Sequence, residues 1–74
     1  MSVEADLAIA AMHRIIKKAG AERVSESACK ELSRVLERSG IAIGKVAIEF
    51  MMHAGRKTVR GKDIKIAAKK VLNR

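Results

Sequence analysis

The sequence predicts an all-α protein in the order short helix, loop, long helix, loop, short helix, and three observations carry that prediction. Proline is absent from all 74 residues. Apolar residues recur at three- and four-residue steps, the spacing that lines one face of a helix. Gly20 and Gly55 close the periodic runs, each where a left-handed residue commonly ends a helix. A chain of 74 residues accommodates one domain, spanning 1–74.

The first helix takes Ser2 as its cap, with Glu4 and Asp6 near its positive end. Leu7, Ala11, Met12, Ile15, Ile16 and Ala19 form its apolar face, and Gly20 stops it. Lys17 and Lys18 in the last turn either complement the negative helix end or meet phosphate. Residues 21–24 make a short connection with Arg23 at its apex, and Val24 is placed as a staple residue before a Ser25 cap.

The stretch between Ser25 and Gly55 reads as one uninterrupted helix. Ala28, Leu32, Val35, Leu36, Ser39, Ile43, Val46, Ala47, Phe50 and Ala54 make a small-or-apolar stripe at helical period. Such a helix is about 43 Å long. A compact domain of this chain length has a radius of gyration of only about 11 Å, so the stripe outruns its own globule and calls for a second copy of the chain as cover. Gly40 and Gly44 lie one turn apart near the midpoint, and each costs about 1 kcal/mol against alanine in a helix interior. A symmetric dimer whose long helices cross there gains the close approach that explains both, the alternative being a kink. Residues 56–60 form the second connection, with β-favouring Thr58 and Val59 flanked by charge. The third helix runs from about Gly61 to Asn73, with Asp63 in its first turn, an apolar face of Ile64, Ala67, Ala68, Val71 and Leu72, and Lys62, Lys65, Lys69 and Lys70 on its outer side.

A chain this short stabilises itself through disulfides, a metal or oligomerisation. The lone Cys29 has no intrachain partner and reads as a small buried hydrophobe, and His13 and His53 have no metal-ligand spacing. No metal and no cofactor are expected, and oligomerisation remains. Sixteen Lys and Arg stand against eight Asp and Glu, giving +8, and residues 54–74 hold eight of the basic side chains against one acidic. A field this one-signed suggests a polyanion partner. With Phe50 as the only aromatic residue, single strands and RNA loops find no stacking platform, so duplex phosphate is the expected contact. No apolar run reaches the length of a membrane span and no signal peptide is present, so a cytoplasmic protein without membrane partner is expected. A basic amphipathic helix on a membrane surface is the rival, opposed by the capped three-helix order and the lack of aromatic anchors. No glycine-rich phosphate cradle, nucleophile turn or metal constellation accompanies the Ser, His and Asp present, and no small-molecule substrate is expected, so the chain does not read as an enzyme.

Two segments carry a family resemblance. Arg14-Ile15-Ile16-Lys17-Lys18-Ala19-Gly20-Ala21-Glu22-Arg23-Val24-Ser25 and His53-Ala54-Gly55-Arg56-Lys57-Thr58-Val59, followed by Asp63-Ile64, resemble the two most recognisable segments of the archaeal histone family. The match covers the chain from about Leu7 onward. It implies the histone fold, an intertwined homodimer in which each first loop lies beside the partner's second loop, and a nucleoid-associated role in binding, bending or wrapping and compacting double-stranded DNA. By that resemblance Arg23 enters the minor groove, Lys57 and Thr58 contact phosphate, and Arg14 meets phosphate at the dimer centre. Arg56 and Asp63 resemble the family's loop clamp. Phe50, His53 and Asp63 resemble the residues that join one dimer to the next in tetramers or higher assemblies on DNA, and Gly20 the small residue that permits successive turns to stack closely.

Two departures stand out. The family often starts its first helix with proline-containing sequence, which is missing here. Ile41, Ile48 and Met52 form a second apolar line on the long helix, where relatives usually carry charge. The line reads as extra packing, as an added contact surface between dimers that favours a closed tetramer over open-ended stacking, or as the docking face of a histone-fold protein-interaction module with secondary DNA binding.

Overall fold

The computed structural model describes residues 3–73, with side chains described from residue 8 onward. The expected Ser2 cap lies outside the described residues, as do the side chains of Glu4, Asp6 and Leu7. Three helices follow in order, α1 (Val3–Lys18), α2 (Glu26–His53) and α3 (Gly61–Leu72), and no strand occurs among the described residues. Thr58 and Val59, for all their β propensity, sit in an irregular loop. Backbone contacts gather into two compact units, Met1–Glu37 and Arg38–Arg74, whose boundary falls inside α2.

In the first unit, α1 ends on Gly20, whose φ of +115° is open to glycine and strained for other residues. The Gly20 N–H donates to the Lys17 carbonyl at 3.0 Å and the Ala21 N–H to the Ile16 carbonyl at 3.4 Å, the paired reverse bonds that close a Schellman turn. After the connection, the Ser25 hydroxyl oxygen accepts the Ala28 N–H at 3.1 Å. This satisfies a first-turn donor that the helix leaves unpaired and contributes about 1 kcal/mol. Cys29 is 1% exposed, and it occupies the position that a staple residue at Val24 would meet.

The second unit repeats the ending device. Gly55 has φ +70°, its N–H donates to the Met52 carbonyl at 3.0 Å, and the Arg56 N–H donates to the Met51 carbonyl at 3.1 Å. The helix therefore stops at His53, one residue before Ala54, which the periodic stripe had included. A groove between α2 and α3 is lined by Arg38, Ser39, Ala42, Val71 and Leu72. Lys70 Nζ lies 5.6 Å from the centre of the Phe50 ring. That corrects the expectation that Lys70 decorates the outer side of α3. At about 100° per residue, position 70 falls within about 20° of Asp63 and on the side facing α2.

Among the described residues neither unit fully buries a large side chain. The buried apolar residues are Cys29 in the first unit and Ala47 and Ala67 in the second. Meanwhile Ile15, Val35 and Leu36 stay exposed in the first unit, and Ile41, Ile48, Met52, Val59, Ile64, Ile66 and Leu72 in the second. Burying one such side chain fully is worth about 1.5–3 kcal/mol, and most of that stabilisation is unrealised within one chain. Gly40 and Gly44 have no heavy atom within 4 Å of the position a Cβ would take, so no neighbour in the chain accounts for their small size.

Candidate nucleic-acid interface

Among the described residues, side-chain hydrogen bonds are concentrated at the second loop. Arg56 donates twice to Asp63, Nη1 to Oδ2 at 2.9 Å and Nη2 to Oδ1 at 2.8 Å. The same Nη1 donates to the Thr58 carbonyl at 2.8 Å. Asp63 Oδ2 also accepts the Arg60 N–H at 2.8 Å. Asp63 is thus the third residue of α3 reaching back to the residue that precedes the helix, one half of a capping box. The other half cannot form, since a guanidinium has no acceptor, and the Asp63 N–H donates instead to the Arg60 carbonyl at 3.0 Å.

The carboxylate is 2% exposed, and both of its oxygens are engaged. The Arg56 guanidinium foremost, then the Arg60 N–H, hold its pKa down from 3.8 to about 2. The reciprocal hydrogen bond from Asp63 raises Arg56, which stays charged. A bidentate fork fixes distance and plane together, so the loop between the two residues is held at both ends. Lys57, Thr58, Val59 and Arg60 are all exposed on this braced backbone.

The first connection has a lighter brace, which sequence reasoning missed. Lys17 Nζ donates to the Glu22 carbonyl, folding back across the Gly20 turn onto the residue before Arg23. Its signal was a lysine three positions ahead of the helix-ending glycine, read as a dipole or phosphate partner. Arg23 is exposed, and so are Arg14, on α1, and Lys57. Among the described residues the ion pairs are Lys30 with Glu26 at 3.8 Å, Arg34 with Glu31 at 3.3 Å, and Arg56 with Asp63 at 2.8 Å. Arg14, Arg23 and Lys57 are in none of them.

The remaining singled-out residues fall as follows. His53 is exposed and Phe50 half-buried; Glu49, Met52 and His53 line a shallow depression. Asp63 does not share that surface, being buried under Arg56. Ile41, Ile48 and Met52 are 53%, 43% and 66% exposed, so packing within the chain does not explain that line. Gly20 is exposed, and its positive φ gives it a local reason to be glycine. Among the described residues no cluster of three or more His, Cys, Asp or Glu could hold a metal ion, and no helix is long and apolar enough to cross a membrane.

Three helices joined by a lightly braced first loop that exposes Arg23 and a clamped second loop that exposes Lys57 define a small all-α protein, a class that contains the histone fold. Residues 5–68 match the family model described as histone-like transcription factor (CBF/NF-Y) and archaeal histone. The chain is 55% identical over 65 residues to a HAN1 archaeal histone chain of Thermococcus zilligii, covering 88% of this chain and 97% of that protein. It is 44% identical over 63 residues to probable archaeal histone 3 of Methanocaldococcus jannaschii, covering 85% and 94% respectively. The chain belongs to the archaeal histone family, and like the rest of that family it is a structural protein and not an enzyme.

Proposed function

We propose that residues 1–74 act as one histone-fold domain that pairs with a second copy, binds double-stranded DNA without base readout, and compacts it by bending or wrapping in a chromosome-associated assembly. The observation that carries this reading is the second loop, where a buried bidentate Arg56–Asp63 pair holds the backbone while Lys57 and Thr58 face solvent. A preset loop loses little conformational entropy on meeting phosphate. Pairing is supported by the uncovered apolar residues of both units and by two helix glycines whose Cβ positions are empty. In the paired arrangement that the family implies, each first loop lies beside the partner's second loop. Arg23 then reaches the minor groove, with Lys57 and Thr58 on the flanking phosphates and Arg14 on phosphate near the dimer centre. Arginine in an inward-facing minor groove with backbone contacts elsewhere makes affinity depend on DNA deformability more than on sequence.

Assembly beyond the dimer runs through Phe50, His53 and Asp63, the set that the family resemblance implies. Asp63 serves the clamp within its own chain as well. The exposed Ile41, Ile48 and Met52 favour a second reading at this level, a closed tetramer instead of open-ended stacking.

Charge reversal at both loops tests the function. Arg23→Glu with Lys57→Glu abolishes retention of duplex DNA and leaves the assembly state unchanged; undiminished retention would turn the reading toward a protein-interaction module. With about six to ten phosphates neutralised per dimer, the unmodified protein loses roughly 10³ to 10⁵ in affinity between about 50 and 200 mM salt. A nearly flat salt response contradicts phosphate contact.

A further inference from the structure

We infer that the outer face of α3 is a second DNA-binding surface, a stripe of Lys62, Lys65 and Lys69 that holds a second duplex while the loops hold the first. The inference rests on the DNA-binding reading above. Helical rotation puts the three lysines within an arc of about 60° over about 10 Å of axis. That axial length is the rise of about three phosphates on one DNA strand. All three lysines are exposed, and none takes part in an ion pair among the described residues.

The surroundings set this stripe apart from an ordinary solvated face. On α2, Lys30 and Arg34 have glutamate partners one turn away. On α3 the single carboxylate, Asp63, is consumed by Arg56 and lies on the buried side. Lys70, the fourth lysine, is turned toward Phe50 and leaves the stripe. Lys69 complements the negative end of the helix, but Lys62 sits in the first turn, where the helix dipole disfavours a cation. Its carboxylate neighbour is Asp63, whose pKa Lys62 helps to lower through space, behind the Arg56 and Arg60 hydrogen bonds. Ala67, fully buried, marks the inner side of α3, and the stripe lies about half a turn of the helix away from it. The clamp that sets loop 2 is anchored on that inner side, at Asp63. Loop and stripe are thus built on different sides of a rod about 10–12 Å across, an arrangement suited to two duplexes.

The test compares binding of one duplex with bridging of two. Full-chain protein is added to a bead-tethered duplex and a labelled free duplex, and capture of the label is measured beside the affinity for a single duplex. The unmodified protein captures the label. The variant Lys62→Gln, Lys65→Gln, Lys69→Gln loses capture by about 10-fold or more, while its single-duplex affinity stays within about 2-fold and its salt slope is unchanged. Replacing the same three lysines by arginine preserves capture, which separates charge from any effect on folding. Capture by the glutamine variant equal to the unmodified protein overturns the inference. So does a salt slope lowered by about 2.7, which places the stripe on the same duplex as the loops. Tight binding of one duplex without capture by the unmodified protein also overturns it and leaves the proposed function standing. Failure to bind even one duplex removes the proposed function itself, and this inference with it.

Discussion

Gly40 and Gly44 give the sharpest prediction because the two accounts of them differ in sign. Within the chain, alanine at either position meets no heavy atom within 4 Å. The residues lie in the interior of α2, where alanine is favoured over glycine by about 1 kcal/mol each. Were the single chain the whole story, the double variant Gly40→Ala, Gly44→Ala would gain about 2 kcal/mol, with a melting temperature higher by roughly 8–16 °C. If the partner's helix crosses here, each methyl intrudes on a close approach and costs about 1–3 kcal/mol by overpacking, which offsets or exceeds that gain. The expected outcome is a dimer weakened by one to two decades in dissociation constant, or about 1.4–2.8 kcal/mol. Sedimentation equilibrium across a dilution series reads the dissociation constant, and thermal melts at two protein concentrations read stability. A variant that melts well above the unmodified protein, with dimerisation unchanged, refutes the crossing at these glycines.

Two other perturbations address the clamp and the apolar line. Asp63→Asn keeps the size of the side chain and removes its charge, and the variant is expected to be less stable at neutral pH. Because the folded carboxyl titrates at about 2 against an ordinary 3.8, the unfolded chain takes up the proton first. The clamp's charge-dependent stabilisation is therefore complete above pH 3.8 and lost as pH falls toward 2. Urea midpoints measured through that window should fall more steeply for the unmodified protein than for the variant; parallel curves contradict a clamp set by charge. Met52→Lys places a cation on the most exposed member of the Ile41, Ile48, Met52 line. Light scattering with and without DNA should then report dimers where the unmodified protein forms larger assemblies, and an unchanged assembly state sinks the added-surface reading.

Whether the second loop works as a preset contact also bears on how the protein tolerates change. Arg56→Lys retains a charge but cannot present a planar fork of two parallel donors to Asp63. The loop depends on a planar fork, while Lys57 beside it needs only a flexible point charge. The two neighbouring cations therefore serve different ends, one inward to the carboxylate and one outward.

The amino-acid sequence by itself determined the order and ends of the helices. Ser25, Gly20 and Gly55 act through bonds to residues three to five positions away, so their effects are legible from spacing alone. It also carried the family segments and the concentration of positive charge after residue 54. Side-chain placement across elements needed the tertiary structure. The Arg56–Asp63 fork spans seven residues and depends on how the loop turns before α3 begins. Lys17 reaches the Glu22 carbonyl only because the Gly20 turn folds the chain back. Lys70 leaves the outer face for Phe50 because of helix phase against a neighbouring helix, which composition does not encode. Periodicity marked the apolar stripes as surfaces to be covered. Only the three-dimensional arrangement decided which of them a single chain covers, because burial depends on what packs opposite, and among the described residues the closed apolar core holds Cys29, Ala47 and Ala67 alone.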